Sequence, residues 1–117
     1  MAIDPKKTLD PYRAKRGELR LVEVPPMQYL MVDGVGDPNT SPQFAGAVSA
    51  LYPIAYGVKF ASREQLGIDT VVMPLEGLWD APDRASFTTR RDKTQWVWTL
   101  MIMVPDHVTS EMVEDAR

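Results

Sequence analysis

A glutamate stands in the middle of the apolar run Met73-Pro74-Leu75-Glu76-Gly77-Leu78-Trp79. A carboxylate in such a strand must be paired, hydrogen-bonded or set against a cavity, because burying it bare is costly. Two readings stay open. Glu76 is either a strand-edge residue facing water, or a pocket acid that binds a cation or handles a proton. Gly77 beside it leaves room for a ligand to approach the backbone closely. Aromatic residues recur at telling spacings. Trp96 and Trp98 are two apart on a strand and share a face, Trp79 ends the neighbouring strand, and Tyr52 and Tyr56 are four apart on a helix flank. Core packing accounts for any one of these. Three tryptophans, two tyrosines and a carboxylate around one sheet–helix layer suit a receptor for flat or cationic organic molecules. The expected site is therefore Glu76 as the acid, with Tyr52, Tyr56, Trp79, Trp96 and Trp98 as binding walls.

Other chemistries find little support. Gly34-Val35-Gly36 follows a strand and precedes a helix but lacks a third glycine or a Gly-Lys-Ser/Thr ending, so it reads as a tight turn rather than a phosphate cradle. His107, the one histidine, follows Pro105-Asp106 and reads as a helix-entry turn residue. Arg90-Arg91 reads as a solvated loop. With no cysteine, disulfides, thiolate zinc sites, iron–sulfur clusters and cysteine nucleophiles are excluded. No segment has the character of a serine nucleophile elbow. No metal and no cofactor is expected.

The 117 residues make one domain, with 44% hydrophobic and 25% charged residues, which excludes a disordered chain. The net charge of −3 is unevenly spread. Residues 1–20 hold six bases and three acids, so the remainder is strongly acidic and would repel phosphate backbones; nucleic acid is not an expected partner. The basic start lacks a following apolar stretch, so no signal peptide is expected. The longest apolar run, Trp96 to Pro105, falls well short of the ~20 residues of a membrane span. A cytoplasmic protein that makes no membrane contact is the expectation.

The elements that must position these residues follow from periodicity. Residues 1–18, with Asp4-Pro5 and Asp10-Pro11, read as a basic arm that lies on the body or stays mobile. Residues 19–117 read as a single module. Leu19, Leu21 and Val22 are β-prone up to Pro25-Pro26. Met27 to Val35 is apolar in both registers, a strand covered on both faces. Ser41 is a good N-cap with Pro42 at the first helical position. Phe44, Val48, Leu51, Ala55 and Val58 form one apolar stripe, predicting a helix from about Pro42 to Phe60 or Arg63, bent at Pro53. Gly67 fits its stop. Thr70 to Leu78 is a second strand, with Pro74 marking an edge or bulge. Asp80 to Lys93 reads as a long hairpin loop, and Trp96 to Val104 as a third strand. A last helix starts at Thr109. The fold class is α+β: a strand–helix–strand–strand module with a mainly antiparallel sheet and one long helix on one face.

Four blocks carry a family resemblance: Val24 to Asn39, Ala50 to Tyr56, Met73 to Trp79 and Trp96 to Asp106. Together they resemble the GyrI-like small-molecule-binding family over roughly Leu19 to Val113. The resemblance implies two such modules about a pseudo-two-fold axis with a ligand groove between them. This chain looks like the first module and the start of the linking helix. The family includes drug-sensing domains of transcription regulators, gyrase-inhibitory proteins and a branch that hydrolyses cyclopropane-containing toxins. The Pro74 to Trp79 block looks like that stand-alone branch. By matching motif, Tyr52, Tyr56, Glu76, Trp79 and Trp98 would line the groove, and in a hydrolytic reading Glu76 would hold or deprotonate a water. Asp80 stands where the family often has a second tryptophan, and Pro53 where small residues are commoner. Three functions are thus implied: a binder of aromatic or cationic small molecules, a hydrolase of strained toxins, or an interaction protein that inhibits a partner such as gyrase. The expected partner, besides the ligand, is a second copy in a homodimer or else a missing second module.

Overall fold

The computed structural model describes residues 2–88 and 92–117. A short helix α1 (Pro5–Thr8) and a 3-10 turn (Asp10–Tyr12) precede β1 (Gln28–Val35), α2 (Pro42–Leu66), β2 (Leu75–Asp80), β3 (Val97–Val104) and α3 (Ser110–Ala116). The three strands form one sheet in the order β1-β3-β2. Both outer strands are antiparallel to β3, so they run the same way and α2 carries the chain from one to the other. The α+β architecture expected from the sequence is the one observed.

The registers assign every strand residue to a face. Leu30 and Leu75 both pair with Ile102, Gly34 and Trp79 both pair with Trp98, and Met31 and Glu76 both pair with Met101. Paired residues share a face and neighbours along a strand alternate. The face holding Trp98, Leu100, Ile102 and Leu30 packs under α2, for Phe44 of α2 meets the Trp98 ring edge-on at 5.2 Å. This is the core, and Ile102 is wholly enclosed. Each such side chain stabilises the fold by roughly 1.5–3 kcal/mol. The opposite face, called the outer face below, carries Tyr29, Met31, Asp33, Val35, Glu76, Leu78, Val97, Thr99, Met101 and Met103.

α2 forms as its sequence dictates. The Ser41 hydroxyl accepts from the Phe44 N–H, Pro42 opens the helix, and Gly67 closes it in the left-handed region at φ 69°. Ala47, Leu51, Ala55, Val58 and Ser62 are its buried stripe, while Phe44 and Val48 are half-buried. The helix outlasts the expected stop at Arg63 by three residues because nothing before Gly67 breaks it. By length and composition alone α2 is apolar enough to cross a membrane, which the count of unbroken apolar residues missed. Here its stripe is covered by the sheet.

Other boundaries move for physical reasons. β2 begins at Leu75, not Thr70, because Pro74 offers no N–H to a ladder. Thr70 instead pairs in a parallel bridge with Ile3. Leu19 and Leu21 are fully exposed and join no strand. The stretch expected as an open hairpin loop contains 3-10 turns at Arg84–Phe87 and Lys93–Gln95, each capped by an aspartate, Asp83 and Asp92. Arg90 and Arg91 lie outside the described residues.

Candidate functional site

Glu76 lies on the outer face, half-buried. Its Oε2 accepts a hydrogen bond of 2.6 Å from the Tyr12 hydroxyl. Tyr12 comes from the N-terminal arm, which lies on the body as one of the two expectations had it. The arm is fixed at its start by a pair of backbone bonds: the Ile3 N–H donates to the Asp69 carbonyl at 2.7 Å, and the Val71 N–H donates to the Ile3 carbonyl at 2.9 Å. Asp4 caps α1 by accepting from the Lys6 N–H. Leu9 and Tyr12 then pack against the partly covered edge of the core. Tyr29 of β1 stands beside the Tyr12 phenol, and both tyrosines feel the Glu76 carboxylate.

The electrostatics match this geometry. Burial, then the hydrogen bond to Glu76 and its negative charge, push the Tyr12 hydroxyl well above the ordinary phenol value. Tyr29 is raised by the same two causes, burial first and the Glu76 charge second. Both phenols therefore stay neutral donors at any ordinary pH. Around them the outer face is apolar: Met31, Val35, Leu78 and Val97 are exposed by 55%, 51%, 59% and 42%, an unusual concentration on one sheet face. A second acid, Asp33, accepts from the Thr99 hydroxyl at 2.5 Å on the same face. An anionic centre with neutral phenolic donors, set in an apolar floor, can hold the positive or donor edge of a flat ligand against methionine and leucine side chains.

The aromatic residues expected as walls gather elsewhere. Trp79 and Trp98 point to the helix side, across the sheet from Glu76. Trp98 is 1% exposed and lies over Gly34, so it is core and cannot line a groove. Trp79 stacks on Phe44 at 6.1 Å and meets Trp96 edge-on at 5.8 Å, and Trp96 in turn packs on Phe87 at 5.1 Å. These rings cluster at one end of the α2–sheet layer, with Trp79 itself exposed. Tyr52 is half-buried on α2, and Tyr56 is exposed and leans on Phe60. The convergence of Glu76 with the three indoles is thus overturned: strand alternation puts a residue three positions from Trp79 on the other face. The space expected beside Gly77 is taken by the Trp79 indole, whose Nε1 lies 2.9 Å from where a β-carbon would be. Sequence reasoning missed Tyr12 and Tyr29. Tyr29 was legible as an outer-face residue two before Met31, whereas Tyr12 gave only the signal of a lone ring in a polar arm.

Two other places hold chemistry-bearing groups. The Ser62 hydroxyl donates to the Ile68 carbonyl at 2.9 Å and lies 2.7 Å from His107 Nε2. Its single proton is spent on the carbonyl, so the imidazole N–H donates to Ser62. The pair pins the α2 end to the turn before α3 and is not a nucleophile with its base. An open groove of about 590 Å³ runs between the free edge of β1, α2 and α3. Its charged residues, Glu114 and Arg117, are paired with each other at 3.2 Å. Among the described residues no His/Asp/Glu cluster could hold a metal ion.

No family model matches the chain. No curated protein matches it either. Solved structures do. An uncharacterized conserved protein from Listeria innocua superposes with a TM-score of 0.83 at 39% identity, over 97% of this chain and 56% of that one. Two proteins described as hydrolases, also from Listeria innocua, follow at TM-scores of 0.82 and 0.77. They share 37% and 36% identity and match 99% and 97% of this chain but 57% and 54% of their own. The chain therefore spans little more than half the length of the proteins it is similar to.

Proposed function

We propose that the chain is a GyrI-like small-molecule-binding module that takes an aromatic or cationic ligand on the outer sheet face, with Glu76 as its charged anchor. One observation carries this reading: a half-buried carboxylate on the edge strand of a sheet face that exposes Met31, Val35, Leu78 and Val97, already engaged by a phenol donor. Met31 and Leu78 supply the apolar floor, backed by the buried Met101 of β3, the strand between theirs. Tyr29 supplies a second polar group, and Tyr52, Tyr56 and Trp79 fall outside this floor. A fluorescence titration with 9-aminoacridine, a planar aromatic cation, tests it. Wild-type chain should bind, and Glu76→Gln should weaken binding by about tenfold or more, the worth of one charge-assisted contact. Equal affinity in both would refute Glu76 as the anchor.

The hydrolase reading is favoured by the two similar structures described as hydrolases. In it Glu76 takes a proton from a water, the resulting hydroxide forms a bond to the electrophilic carbon of a strained ring, the ring C–C bond breaks, and the electron pair it releases takes the proton back from Glu76. Turnover of a cyclopropane substrate that is lost in Glu76→Gln would support it.

A second copy of the chain is the proposed cover of the outer face. Its support is that Met31, Val35, Leu78 and Val97 are exposed and face one way, an apolar surface that an isologous dimer would set against its own copy.

A further inference from the structure

The Tyr12 phenol meets Glu76 as a ligand would. It is a flat ring with one edge donor, delivered by a segment that is remote in sequence, sixty-four residues away. We propose that Tyr12 is an internal stand-in for the ligand, so that the arm closes the Glu76 site and must be displaced by a flat molecule carrying an O–H or N–H donor at its edge. This inference rests on the outer-face reading above and goes past it in naming an occupant and a ligand class.

Three features of the arm support it. First, the contact is specific. The hydroxyl donates to a carboxylate oxygen at 2.6 Å, a short charge-assisted bond, and the neighbouring Tyr29 completes a polar corner beside the exposed apolar residues. Second, the contact is releasable. Beyond Tyr12, residues 13–20 are exposed and carry no regular structure, and the exposed side chain of Asp10 is held by Arg20 at 2.9 Å, a bond within the arm rather than to the body. The firm attachment is at the other end, the two backbone bonds of Ile3 to Asp69 and Val71. The arm can lift at Tyr12 while staying tethered at Ile3. Third, the displaced group is self-sufficient, because a neutral phenol moves into water without leaving a buried charge behind, and the ligand donor replaces it on Glu76.

A site that is closed in this way imposes a population penalty, since the apparent affinity is the intrinsic affinity reduced by the open fraction. Tyr12→Phe keeps the ring and removes the donor. Full-length Tyr12→Phe should bind 9-aminoacridine about tenfold more tightly than wild type, the loss of one hydrogen bond to a charged acceptor. Trypsin supplies a second readout at Lys6 and Lys7, which lie in α1 between the Ile3 tether and Tyr12. Saturating 9-aminoacridine should speed cleavage of the wild-type arm as it lifts, while the Glu76→Gln chain shows no ligand-dependent change. Unchanged or weaker binding by Tyr12→Phe, or protection of the arm from trypsin, would overturn the proposal and make Tyr12 a wall of the site. Those results leave the Glu76 reading intact if Glu76→Gln still loses affinity. Equal binding by wild type and Glu76→Gln, or no binding by wild type and Tyr12→Phe alike, would refute both.

Discussion

Gly34 shows how one residue's identity is set from across the sheet. A β-carbon there would lie 2.1 Å from Cη2 of Trp98, well inside the indole. The indole is enclosed by Phe44 and the core and has nowhere to retreat. Gly34→Ala should therefore cost about 1–3 kcal/mol, the usual penalty of overpacking, and the urea midpoint should fall with an unchanged slope. The sequence alone suggests a tight turn at Gly34-Val35-Gly36. That suits Gly36, at φ 117°, but misses the reason for Gly34. The pairing of Gly34 with Trp98 joins positions sixty-four apart, and no local pattern reveals a partner before the register is known. Glu76 was legible as an anomaly in its own strand, since a charge among Leu75, Gly77 and Leu78 is visible without any partner. The group that answers it, Tyr12, was not.

At the scale of elements, the junction between the arm and the body rests on Lys59 and Asp69. The Lys59 ammonium bonds Asp69 Oδ1 at 2.6 Å and the Thr70 carbonyl at 3.2 Å, fixing the segment to which Ile3 docks. That bond holds the Asp69 carboxyl below its ordinary value. The folded form thus gains from ionised Asp69 above the unfolded carboxyl value of about 3.9, and the gain is lost as pH falls through the lower folded value. Asp69→Asn should flatten this part of the acid limb of a urea-midpoint-against-pH curve, and an acid limb identical to wild type would exclude the bond as a source. α2 was the most legible element because its cap, stripe and stop are all local signals: Ser41, the Leu51–Ala55–Val58 stripe and Gly67. β2 was the least, because whether Thr70 to Pro74 joins the sheet depends on competition with Ile3, which only the folded arm supplies.

For the whole molecule, the proposed self-pairing through the outer face makes a prediction about mass. Light scattering after size exclusion at micromolar concentration should give twice the 13.2 kDa chain mass, and Leu78→Asp should return it to one. A well-folded wild-type monomer would refute the self-pairing and leave the face to a second module. Composition and periodicity were enough to read the layer and its single long helix. They could not place the tryptophans apart from Glu76, because a side of the sheet is a property of all three strands together. The strand order has its own kinetic meaning. β1 and β2 never touch each other, and each waits for β3, whose last residue, Val104, pairs with Gln28. On a ribosome, neither ladder can begin before Val97, the partner of both Val35 and Asp80, has emerged. Closing β1 on β3 joins positions sixty-two to seventy-six apart, from Val35–Val97 to Gln28–Val104, and non-local pairing of that kind slows folding because the loop must close before the contacts repay it.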